Sequence, residues 1–134
     1  MPDTKPKQKT AESKPAEPRE LLKLACDRQL MVARFSACGK MLIAAGYDAS
    51  IRRWDLGGEK PAEVDRVAGH RGWVSCLEVQ PGGELVFSVD TWGRLQATRG
   101  IAQKPELAWH HDEAHDGWIR SLSVSDDGQV LVTA

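Results

Sequence analysis

Gly69-His70-Arg71-Gly72-Trp73-Val74-Ser75-Cys76-Leu77-Glu78-Val79 is answered 45 residues on by Ala114-His115-Asp116-Gly117-Trp118-Ile119-Arg120-Ser121-Leu122-Ser123-Val124. A fixed period in this range is the signature of a repeat architecture, whose units bury their faces against one another. The register continues beyond the match. Gly83, Glu84, Leu85 and Val86 are followed at the same offset by Gly128, Gln129, Val130 and Leu131. Backwards, at an offset of 44, Phe35 falls under Val79, Gly39 under Gly83 and Leu42 under Val86. The chain therefore carries two repeats and the opening of a third.

Apolar residues alternate with polar or small ones within each unit, as at Val74, Cys76 and Leu77-Glu78-Val79 and again at Ile119, Leu122 and Val124, which is the period of strands. Ala37-Cys38-Gly39, Pro81-Gly82-Gly83 and Asp126-Asp127-Gly128 are hairpin-turn signals. The first unit reads as strands near Leu30–Ser36, Met41–Gly46, Ser50–Leu56 and Glu63–Val67. The second reads as Trp73–Val79, Glu84–Val89, Arg94–Thr98 and Glu106–His110. Four short strands in about 44 residues is the count for one propeller blade.

The run Ala44-Ala45-Gly46-Tyr47-Asp48-Ala49-Ser50-Ile51-Arg52-Arg53-Trp54-Asp55-Leu56 resembles the closing half of a WD repeat, and Gly69-His70 resembles the pair that opens the next. On these residues the chain is similar to the WD-repeat β-propeller family over roughly residues 21–134. The resemblance implies an all-β partial propeller of four-stranded antiparallel blades. Blade 1 would cover about 21–68, blade 2 about 69–113, and blade 3 would begin at 114–134.

In that family an Asp in the turn before the third strand bonds the His of the Gly-His pair, and a Ser or Thr and a Trp extend the network. Such a network stabilises only when each member is satisfied. The motif residues here are Asp48, Trp54, Asp55, Gly69, His70, Ser75 and His115. The first unit has Asp48 and Trp54 but holds Cys26 or a neighbour at the His position. The second has His70 and Ser75, with Trp92 at the Asp position and Thr98 at the Trp position. Asp90, two residues earlier, would serve only through a shifted turn. The third has His115, places Arg120 where the Ser would be, and stops before an Asp.

A closed ring takes typically 4 to 8 blades, and about two and a half are present. The chain stops at Val130-Leu131-Val132-Thr133-Ala134, inside the expected second strand of the third blade. The expectation is the N-terminal portion of a longer protein; assembly of several copies, or poor stability alone, are the alternatives. Residues 1–20 hold four of the seven prolines among lysines, glutamates and small polar residues, the composition of a disordered tail. They lack the apolar segment of a secretory signal, and no run is long and apolar enough to span a membrane, so the cytoplasm is the expected compartment. Asp3, Glu12, Glu17 and Glu20 nearly cancel the tail's lysines, and the net charge of −1 leaves no electrostatic footprint for nucleic acid.

Cys26, Cys38 and Cys76 have no paired spacing and read as small hydrophobes on or beside strands. His111 and His115 have a ligand-like spacing, but that spacing gathers side chains only on a helix, and the repeat already accounts for His115. Asp126 and Asp127 are turn residues without calcium's ladder of oxygen ligands. No metal, cofactor or catalytic set is expected. Trp73 and Trp118 recur at the start of the innermost strand, either as rim contacts or, the preferred reading, as caps over the neighbouring blade. Trp92, in a turn, is the exposed candidate for partner contact, joined by Arg52, Arg53, Arg71 and Arg94. These readings converge on a non-catalytic scaffold for protein or peptide partners. The alternative is a sensor or recruiting module of a larger enzyme or signalling protein.

Overall fold

The computed structural model describes residues 14–134. The expected tail lies outside the described residues over 1–13, and residues 14–20 are exposed and without regular secondary structure. Strands β1 (Leu30–Phe35), β2 (Met41–Gly46), β3 (Ile51–Asp55) and β4 (Ala62–Val67) form one four-stranded sheet in chain order. Strands β5 (Val74–Val79), β6 (Leu85–Asp90), β7 (Leu95–Arg99) and β8 (Glu106–His111) form a second. Strands β9 (Leu122–Val124) and β10 (Leu131–Thr133) pair as a third unit, and every pairing is antiparallel. These are the strands that alternation and turn residues predict, to within one or two residues. The exception is the start of the third unit, where residues 119–121 lie outside β9.

Burial falls toward the outer strands. Central β2 and β7 are almost wholly buried, whereas outermost β4 and β8 are largely exposed. Glu63, Asp65 and Arg66 on β4, and Glu106, His110 and His111 on β8, put polar or charged groups on those edges. That is how a free strand edge avoids pairing with another chain.

The cores lie between units. Ile43, Ala45, Ile51 and Val67 of the first blade close on Val74, Leu77, Val86 and Ile101 of the second. On the other side, Phe87, Val89, Leu95 and Ala97 close on Ile119 and Leu122 of the third unit. Strand β5 thus has β1 and β2 on one side and β9 on the other. Arg53, almost fully buried, ties the first two blades by donating to the carbonyls of Asp65 and Ile101, each at 2.7 Å.

One irregularity repeats with the sequence. The pairing of β1 with β2 slips between Leu30 and Val32, and that of β5 with β6 slips between Val74 and Cys76. In the third unit the amides of Arg120 and Ser121 both donate to the carbonyl of Ala134, at 2.8 and 3.0 Å. Each is a bulge, which sharpens local twist and re-aims side chains at a sheet rim.

Because Leu77 fills the seam between blades, Leu77→Ala removes transfer energy and leaves a cavity. We expect a loss of about 2–5 kcal/mol in urea-induced unfolding. A loss below about 1 kcal/mol would mean that the seam does not hold the blades together.

Candidate functional site

His70 stands in the loop ahead of β5, and its imidazole lies fully buried between two partners. Its Nδ1 is 2.9 Å from Asp90 Oδ2 and its Nε2 is 2.6 Å from Ser88 Oγ. With Asp90 ionised, Nδ1 is the donor, and in the neutral ring Nε2 accepts the Ser88 hydroxyl. Asp90 Oδ2 also accepts the amide of Arg71 at 3.2 Å, and Oδ1 accepts those of Trp92 and Arg94 at 2.9 and 3.0 Å. Burial alone would raise the Asp90 carboxyl. The bonds from His70, Arg94 and Trp92 outweigh it and hold the group at about 2.

The turn after β6 is locked to the next unit as well. The Asp90 carbonyl accepts the amide of Ile119 at 3.2 Å, and the Gly93 carbonyl accepts that of Ala114 at 2.9 Å. Gly93 has φ +86, and a Cβ there would overlap the His115 carbonyl, so glycine alone fits.

Ser88, His70 and Asp90 follow the partner order of a hydrolase triad. Their side chains are sealed from solvent, and among the described residues none of the three lines either of the two main clefts. This network is structural.

The structure corrects two expectations. The carboxylate partner of His70 is Asp90, so the shifted turn is the one adopted and Trp92 is displaced to the surface. The hydroxyl partner is Ser88; Ser75 instead bonds the carbonyls of Val89 and Ile119, and so links β5 to the third unit. Thr98 occupies the place of buried Trp54, and its hydroxyl has no partner among the described residues. In the third unit His115 Nε2 meets Thr133 Oγ1 at 2.8 Å, repeating the step from His70 to Ser88.

Blade 1 solves the same problem with charge. Half-buried Cys26 stands at the register of His70, and Ala44 and Gly46 stand at those of Ser88 and Asp90. Arg52 supplies the polar centre: its Nε bonds Asp48 Oδ2 at 2.8 Å, and its Nη2 bonds Asp27. Burial works against the charge, but Asp27 and Asp48 more than offset it and raise the guanidinium above its ordinary value. Arg66 reaches Asp48 at 3.5 Å and Glu63 at 3.0 Å. Arg52 is 2 % exposed and Arg94 7 %, so neither is a partner contact; Arg53 is buried likewise. Arg94 is committed to Gln96 and Asp112, and Asp112 also lies 3.1 Å from His110. Asp55 accepts the amide of Gly57 at 2.8 Å, and the backbone of Gly69, at φ +122, lies against the Gln96 side chain. Among the described residues no group of three His, Cys, Asp or Glu side chains could hold a metal.

Above this framework the turns form an aromatic and cationic rim. Tyr47 of the first blade stacks on Trp73 of the second, with centroids 4.4 Å apart and planes at 20°. Trp73 thus caps the neighbouring blade while staying 46 % exposed, and its backbone exchanges bonds with Thr91 at 3.0 and 3.1 Å. Trp92 is 69 % exposed, and a Cβ on Gly72 would overlap its indole and the Thr91 hydroxyl. Trp118 carries the Arg120 guanidinium 4.6 Å from its ring centre. Arg28, Tyr47, Arg71, Trp73, Trp92 and Trp118 line a cleft of about 710 Å³. Tyr47 and Arg28 were missed from sequence; the signal for Tyr47 was its place in the Asp48 turn. Stacking faces and guanidinium forks are binding groups.

The depressed Asp90 value sets a pH dependence. The carboxyl titrates ordinarily at 3.8 and at about 2 in the fold, so the unfolded chain holds this proton more tightly. Its contribution, roughly 2 kcal/mol, is full above about pH 4 and is lost as pH falls through about 2. Asp90→Asn should lower stability at neutral pH and flatten the profile over that window, as read from urea unfolding at each pH. Parallel profiles would remove Asp90 from the network.

The model of the WD domain, G-beta repeat family matches residues 25–55 and 107–134. The first match ends on Trp54 and Asp55, and the second spans His115 with β9 and β10. With four-stranded antiparallel blades side by side and a Gly-His network in the second, the two matches support a WD-repeat family for this chain.

Proposed function

We propose that this chain is a non-catalytic scaffold that binds protein or peptide partners at the rim of Tyr47, Trp73, Trp92 and Trp118. WD repeats generally serve protein–protein interaction, and fold alone names no partner. The observation that carries the proposal is Trp92: a large aromatic side chain, mostly in solvent, whose backbone is fixed from below by Asp90. Tryptophan, tyrosine and arginine dominate binding hot spots. A residue already held in place costs little ordering when a partner arrives. The buried network beneath maintains that geometry.

Trp92→Ala should reduce partner capture in a crosslinking pull-down while shifting stability by less than about 0.5 kcal/mol, as for an exposed site. Capture that survives both Trp92→Ala and Trp73→Ala would place the binding surface elsewhere.

A further inference from the structure

We propose that the rim takes an acidic peptide segment, its carboxylates on Arg28 and Arg71 and an apolar side chain on the Tyr47–Trp73 stack. This rests on the scaffold reading and adds the charge of the partner.

The argument is a charge count around the cleft. Asp48 is the one acidic residue lining it, and its carboxylate is already engaged by Arg52, Arg66 and the Ser50 amide. Asp112 is held by Arg94 and His110, and Arg71 reaches it only at 3.7 Å. Glu113 and Asp116, on the loop between β8 and β9, do not line the cleft. The Arg71 side chain is two-thirds exposed. Arg28 is exposed and makes no ion pair among the described residues. The cleft therefore presents two under-neutralised guanidinium groups beside aromatic walls, on a chain whose net charge is −1.

Low-dielectric walls focus such a field. Guanidinium forks match carboxylates in a bidentate geometry that lysine-rich ligands cannot use. The Arg71 backbone is fixed by the hydrogen bond that its N–H donates to the Asp90 carboxylate, so the fork is presented from a rigid anchor. A basic ligand would need a free carboxylate facing the aromatic walls, and both nearby carboxylates are spent on arginines of the chain itself.

The test uses the full chain and a short fluorescein-labelled peptide in which glutamate alternates with leucine and phenylalanine. Two analogues carry glutamine or lysine in place of every glutamate. Fluorescence anisotropy should show the glutamate peptide binding about tenfold or more tightly than the glutamine analogue, with the lysine analogue weakest and the gap narrowing as salt is raised. Arg71→Glu and, separately, Arg28→Glu should erase or reverse that order at unchanged melting temperature. Equal binding of all three peptides, lost in Trp92→Ala, overturns the charge inference and leaves the scaffold rim standing. Failure of all three to bind overturns the acidic-peptide inference, and the scaffold reading is then decided by partner capture in Trp92→Ala and Trp73→Ala.

Discussion

One buried carboxylate holds the core and the rim of the second blade together. Asp90 receives the His70 imidazole from inside and the amides of Arg71, Trp92 and Arg94 from the surface turns. An ionised group out of water is tolerated only when its oxygens are satisfied, and a lost partner leaves an uncompensated charge. The arrangement is therefore close to all-or-none. The loop that begins blade 2 and the turn that displays Trp92 are fixed by the same two oxygens. Through the Asp90 and Gly93 carbonyls the turn also fixes the start of the third unit.

Adjacent blades meet this requirement with different chemistry. Blade 2 centres on a histidine with a serine and an aspartate; blade 1 centres on Arg52 with Asp27 and Asp48. The exchange is sterically consistent. At the register of Asp90 stands Gly46, where even a Cβ would overlap the Gln29 carbonyl, so no side chain can rise from that position. The polar centre is therefore supplied from Asp48, two residues further along, and from Arg52 on β3. The apolar seams on either side of β5 do not depend on which centre is used. That independence lets a divergent repeat keep its fold.

The period, the strands and the hairpin turns were legible because they rest on spacing and on local backbone preference. The Gly39 and Gly128 turns do adopt the left-handed conformation that glycine permits. Asp90 was hard to place because aligned repeats equate residues by count, whereas its role depends on where the strand ends. Asp90 is the last residue of β6, while Asp48 lies beyond β2. Arg52 and Arg94 read as surface residues in the sequence because charge usually marks solvent. Their burial depends on carboxylates brought in from Asp27 and Asp112, which no local pattern reveals. The Tyr47–Trp73 stack crosses two blades and follows from packing alone.

The central claim is that the buried His70–Asp90 pair sets the geometry of the rim above it. Amide hydrogen exchange on the full chain, comparing the unmodified protein with His70→Ala, tests this residue by residue. The account predicts loss of protection at Arg71, Trp92 and Arg94, whose amides donate to Asp90, while Leu42 and Ala44 in the first blade keep theirs. Unchanged protection at the three Asp90 donors, or a uniform loss through both blades, would contradict it.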